Sequence, residues 1–80
     1  MPTKTLPSTY EQLRAILAEH LGIEPGDIGD TDSLFELGMD SVTAISMVGS
    51  WRRAGLKCMA DDFIDSPTLG DWWLMLRKQR

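Results

Sequence analysis

The sequence predicts an all-α protein: three principal helices, one short helix and a long first loop. Three observations predict it. Apolar residues recur at helical spacing in three separate segments. Each segment opens on a Ser, Thr or Asp, and two of them close on a glycine. No stretch alternates apolar and polar residues as a half-buried strand would, and no internal repeat is present. Eighty residues fit one domain. A domain of this size buries only about 60% or slightly more of its unfolded surface. That is enough for one modest core and leaves little room for a deep catalytic pocket.

The first helix opens at "STYE", with Ser8 read as the cap and Glu11 as the acid that reaches back to it. Tyr10, Leu13, Ile16, Leu17 and Leu21 follow at helical spacing, so a helix is expected over residues 9–21. Gly22 ends it. Residues 1–7, with two prolines and two threonines, are expected to be a flexible lead-in, and residues 8–80 the domain. From residue 23 to 38 the chain carries Pro25, Gly26, Gly29 and Gly38 among many acids. A loop this long in a compact domain is expected to have a use. Ile23, Ile28, Leu34, Phe35 and Leu37 would pin it to the core, with a helical turn within "SLFEL".

The second helix starts at Asp40 or Ser41, runs to about Ala54 and stops at Gly55. On a wheel of about 100° per residue, Ala44, Met47, Val48 and Trp51 form the core face. Thr43, Ser46, Ser50 and Arg53 make a narrow polar arc. Val42, Ile45 and Gly49 widen the apolar arc beyond what burial in so small a bundle requires. This edge begins one residue from Ser41 and is rimmed by Arg52 and Arg53, which makes it a candidate docking surface for a protein partner. Met39, just before the Asp-Ser pair, is assigned to the same surface, as are Phe63 and Ile64. Those two are the apolar anchor of "ADDFIDS", which reads as one or two turns of helix. The last helix restarts after Pro67, with Thr68 and Asp71 as a cap-and-acid pair. Leu69, Trp72, Trp73 and Leu76 fall on one face, and both tryptophans are expected in the core. Its basic end suits the helix dipole.

Composition narrows the function. The net charge is −4, with six acids and no base from Glu24 to Asp40. This is the opposite of the basic stripe that binds nucleic acid. No apolar run approaches the roughly 18 residues of a membrane span, and "MPTKTLPS" lacks the apolar centre of a signal peptide. The cytoplasm is the expected location. Cys58 is the single cysteine and His20 the single histidine, so neither an internal disulfide nor an ordinary structural zinc site can form. Cys58 reads as a semi-buried small hydrophobe. His20 sits in the last turn of the first helix, where a cation is favoured. It is the only base available to a hydrolase built on Ser41, and it lies at the far end of another helix.

Three Asp-Ser pairs are present, at Asp32-Ser33, Asp40-Ser41 and Asp65-Ser66. All three fit caps or turns, because both side chains bond local N–H groups. The surroundings single out the second. Gly38 supplies a tight bend, and Ser41 stands at a helix N-terminus, where free N–H groups and the dipole favour a phosphate.

"LFELGMDSV" resembles the attachment motif of the acyl and peptidyl carrier family: apolar, Gly, apolar, Asp, Ser, apolar. The resemblance runs from the first helix to "PTLGDWW". It implies a four-helix carrier bundle in which Ser41 is joined by a phosphodiester to 4′-phosphopantetheine and Asp40 helps to present it. The arm's thiol would carry cargo as a thioester. The implied partners are a phosphopantetheinyl transferase, an adenylating enzyme and a condensation or other downstream synthetase domain, with the carrier itself a non-catalytic monomer. Peptide-synthetase carriers usually show two glycines before the Asp/His-Ser, and here Met39 takes the second place. "GMDSV", "WRRAG" and "PTLGDWW" are similar to aryl carrier domains of siderophore synthetases. Arg52 and Arg53 depart from the acidic second helix common in fatty acid synthesis. An amino-acid or polyketide cargo is the first alternative. A helical interaction domain with Ser41 only a cap is the second.

Overall fold

The computed structural model describes residues 6–78. Among these residues there are four α-helices: α1 (Tyr10–Leu21), α2 (Ser41–Arg53), α3 (Ala60–Asp65) and α4 (Leu69–Lys78). A short 3-10 turn, Pro25–Asp27, interrupts the first loop. None of the described helices is long and apolar enough to cross a membrane. The all-α bundle with three main helices and one short one is as the residue pattern predicts.

The helix ends follow local chemistry, with one correction. The cap of α1 is Thr9, whose Oγ1 accepts the Gln12 N–H at 3.1 Å, while Gln12 Oε1 reaches back to the Ser8 N–H at 2.6 Å. The expected Ser8–Glu11 pair is therefore shifted by one residue. The Gln12 side chain serves the N–H one residue ahead of the cap, a variant of the capping box, and Tyr10 is the first helical residue, its ring edge-on to Trp73 at 6.3 Å. Gly22 (φ 72) closes α1, with the Ile23 N–H returning to the Ala18 carbonyl at 3.1 Å. Gly55 (φ 118) does the same for α2, with Leu56 N–H on the Trp51 carbonyl at 3.0 Å. Both are left-handed terminations that favour glycine. Thr68 caps α4 through the Asp71 N–H at 3.2 Å, as expected.

The core runs through all four helices and the first loop. Leu13 and Leu17 of α1, Ala44, Val48 and Trp51 of α2, Phe63 of α3, and Leu69, Trp72 and Leu76 of α4 are buried together. Trp51, Phe63 and Trp72 form an aromatic triad with centroids 5.1–6.2 Å apart. Trp73 departs from the expected core position. It is half-buried at the α1–α4 rim, because the arc of α4 that faces inward is filled by Leu69, Trp72 and Leu76. Residues 1–5 of the expected lead-in lie outside the described residues. Of the other two, Pro7 is buried and Leu6 packs half-buried against the core, so both belong to the packed body and not to a free tail.

The first loop is fastened at both ends. Ile28 and Leu34 are buried as expected. Ser33 and Thr68 form an isolated antiparallel bridge. The Leu34 N–H donates to the Pro67 carbonyl at 2.8 Å, and the Gly70 N–H donates to the Asp30 carbonyl at 3.1 Å. The loop is thus laced to the start of α4. Arg14 of α1 adds a tie: its guanidinium lies 5.0 Å from the Tyr10 ring centre and 3.5 Å from the Asp30 carboxylate.

Candidate attachment site and partner surface

The chain approaches α2 through a turn in which Leu37, Gly38 and Met39 donate to carbonyls of Ser33, Phe35 and Leu34 at 3.1–3.2 Å. Gly38 takes φ 118, a conformation that costs a side-chain-bearing residue strain. Asp40 is the α2 cap. Its Oδ1 accepts the Thr43 N–H at 2.7 Å, and its backbone carbonyl accepts the first intrahelical bond from Ala44 at 3.1 Å. The Thr43 amide, and after it the Thr43 hydroxyl, hold the Asp40 carboxyl below its usual range. Ser41 is the first residue of the helix and is exposed. By helix geometry the Ser41 and Val42 N–H groups have no intrahelical acceptor.

This arrangement suits a phosphodiester. A primary hydroxyl stands in solvent at a helix N-terminus, where N–H groups and the dipole favour an anion. The nearest carboxylate, Asp40, is turned to Thr43 by its capping bond. Ser33 and Ser66 are half-buried, and Ser33 is tied into the bridge with Thr68. Of the serines in the three Asp-Ser pairs, Ser41 is the exposed one.

The outward edge of α2 is placed as the wheel predicts. Val42 is 77% and Ile45 52% exposed, Gly49 is half-buried, and Arg52 and Arg53 are exposed. Two assignments are corrected. Met39 is buried in the core: it lies in a turn that folds its side chain under the loop. Phe63 is also fully buried, because it completes the aromatic triad, and Ile64 is half-buried against the core. Neither Met39 nor Phe63 can meet a partner. Met59, 52% exposed at the start of α3, is a further exposed apolar residue beside this edge. Its signal in the sequence is an apolar residue one position ahead of the short helix, outside that helix's inward face. Between α2 and α3 lies a shallow groove of about 170 Å³ lined by Ile45, Val48, Gly49, Arg52, Met59 and Asp61. Cys58 is half-buried, and its thiol is pushed up first by burial and then by the Asp62 carboxylate. His20 is exposed at the end of α1.

A small helical bundle that offers one exposed, capped serine at the head of its second helix is the architecture of a carrier domain. Residues 11–73 match the family described as phosphopantetheine attachment site, and the chain belongs to that family. It is a non-catalytic carrier domain, of a family that holds 4′-phosphopantetheine covalently. The chain is similar to malformin synthetase of Aspergillus luchuensis, with 42% identity over 71 residues, 86% of this chain and 1% of that protein. It is 41% identical over 58 residues to a nonribosomal peptide synthetase of Metarhizium robertsii, covering 72% of this chain and 1% of that one. It is 35% identical over 68 residues to an isochorismatase of Bacillus subtilis, covering 85% of this chain and 22% of that one. The chain thus spans about a hundredth of the large synthetases it resembles. No solved structure matches it.

Proposed function

We propose that this domain carries an acyl group, an aryl acid, as a thioester on a 4′-phosphopantetheine arm attached to Ser41, and presents it to partner enzymes of nonribosomal peptide or siderophore assembly. One observation carries this reading: Ser41 is exposed at the first position of α2, directly after the capping Asp40, in a chain of the phosphopantetheine attachment family. A phosphopantetheinyl transferase supplies the arm from coenzyme A in the cytoplasm. An adenylating enzyme then loads the thiol, and a condensation or other downstream domain unloads it. Partners meet the apolar edge of Val42, Ile45 and Gly49, with Met59 beside it and Arg52 and Arg53 on its rim. The half-buried Ile64 adds at most a margin. A monomer meets these needs, since tethering raises effective concentration without any new contact.

The aryl cargo is supported by "GMDSV", "WRRAG" and "PTLGDWW", and by the similarity to a protein named for isochorismate, a cyclic carboxylic acid. The second reading is an aminoacyl cargo. It is favoured by the similarity to malformin synthetase and to other peptide synthetases. One experiment tests both parts. The chain is incubated with a phosphopantetheinyl transferase and coenzyme A, and intact mass and peptide mapping follow the modification. The modified protein is then offered to aryl- and aminoacyl-adenylating enzymes. Modification at Ser41 and loading by the aryl set are expected. No mass shift would leave a helical interaction domain, and loading by the aminoacyl set alone would replace the aryl cargo.

A further inference from the structure

Met39 is 5% exposed and belongs to the core, whereas Gly38, Asp40 and Ser41 around it are exposed. It is the buried side chain nearest in sequence to Ser41; on the other side the first is Ala44. Its N–H donates to the Leu34 carbonyl at 3.1 Å, and Leu34, itself fully buried, donates to the Pro67 carbonyl at 2.8 Å. Asp40 holds the Thr43 N–H on the other side. The backbone that bears Ser41 is therefore fixed from below by an apolar plug, from behind by the lacing to α4, and from ahead by the helix cap. An exposed serine at a helix end is placed only by its backbone. Of the three restraints, Met39 is the one made by a side chain reaching the core.

We propose that Met39 is a positioning residue for transfer of phosphopantetheine to Ser41: its buried side chain holds the Asp40–Ser41 backbone in the geometry the transferase requires. This rests on the reading of Ser41 as the attachment residue. In the transfer, the Ser41 Oγ forms a bond to the phosphorus that bears pantetheine in coenzyme A. The pyrophosphate P–O bond breaks and 3′,5′-ADP leaves, while the hydroxyl proton passes to a base of the transferase. Such a displacement needs the attacking oxygen in line, and a misplacement of about 1 Å costs on the order of 100-fold. Removing the plug leaves the hydroxyl present and the surface around it unchanged, but loosens the frame that aims it. The effect falls on kcat and not on KM for the carrier.

The test compares the full chain with Met39→Ala, Met39→Val, Met39→Leu and Leu56→Ala. Leu56 is a buried residue just past the opposite end of α2 and serves as the matched core control. Transfer kinetics from coenzyme A, read by intact mass, are measured where circular dichroism shows each variant folded. Amide exchange at Thr43 and Ala44, whose N–H groups are held by Asp40, is read in parallel. Met39→Ala should lower kcat about tenfold or more with KM unchanged, and Met39→Val should lie between. Met39→Leu should restore the wild-type rate, and Leu56→Ala should keep it. Exchange should rise at these two amides in Met39→Ala and not in Leu56→Ala. If Met39→Ala does not fold, Met39→Val carries the same comparison. Wild-type kcat and exchange in the Met39 variants, or an equal loss in Leu56→Ala, overturns the proposal. Ser41→Ala separates the two readings: modification that persists in it overturns the attachment site itself, whereas its loss beside unimpaired Met39 variants overturns positioning alone.

Discussion

The indole N–H of Trp72 donates to the backbone carbonyl of Phe63 at 2.9 Å, and both residues are fully buried. One side chain thus packs the aromatic triad and satisfies a carbonyl of the short helix α3 that water cannot reach. Trp72→Phe keeps most of the apolar volume but strands that carbonyl, at a cost of about 1–3 kcal/mol. Trp72→Ala adds a cavity and should cost about 3–5 kcal/mol, a large share of a small domain's stability. Denaturant melts of the two variants check both values. A Phe variant as stable as the wild type would mean the bond contributes nothing net.

Val42 is the most exposed large apolar residue of α2, at 77%. Val42→Asp should leave the circular dichroism spectrum and melting temperature unchanged and slow loading or downstream transfer, because a charge tolerated in water is costly once a partner desolvates it. Gly49→Glu should act in the same way. Arg53→Ala should act more weakly and mainly on association rate. Folded variants that load and unload at wild-type rates would move the docking surface off this edge.

Two glycines in helices should respond differently to alanine. A Cβ on Gly49 meets nothing within 4 Å, so Gly49→Ala should stabilise the free domain by about 0.5–1 kcal/mol. A Cβ on Gly70 would sit 3.3 Å from the Asp30 carbonyl, the same oxygen that its own N–H reaches at 3.1 Å. Gly70→Ala should therefore show no such gain, and urea melts of the pair decide it.

Asp40 gives a pH signature. The Thr43 bonds lower its pKa in the folded state. A carboxyl with a lowered folded pKa contributes stability above its unfolded pKa and loses it as pH falls through the folded one. Asp40→Asn keeps a capping oxygen and removes the titration. The stability gap between wild type and Asp40→Asn should favour the wild type near neutral pH and shrink in acid. A gap that stays constant with pH would show that the capping charge is not what the carboxylate supplies.

Much of this was legible in the residues. The inward arc of α2, its exposed edge of Val42 and Ile45, and the stops at Gly22 and Gly55 follow from period and from glycine's access to positive φ. Ser8 and Thr9 are equivalent caps by local rules, each with Glu or Gln three residues on, so the local pattern does not choose between them. For a different reason, the burial of Met39 and Phe63 is not legible in the sequence. One lies in a turn and the other in a helix of six residues, and neither segment is long enough for a period to reveal which way a side chain faces. The bridge between Ser33 and Thr68 pairs single residues, which leaves no alternation to read.

The lacing of the first loop to the start of α4 also has a meaning in time. The bond from Leu34 to Pro67 closes a ring of chain that contains α2, α3 and Ser41. Helices form within about a microsecond, but closing such a ring joins distant segments and costs entropy that rises with its length. The turn before Ser41 closes through its own local bonds, but its anchorage at Pro67 is expected to form late, when α4 docks. During synthesis, the residues of α2 leave the ribosome well before Pro67 does. A chain truncated ahead of Pro67 lacks the carbonyl that Leu34 bonds, and is expected to hold the turn before Ser41 less firmly than the full chain does.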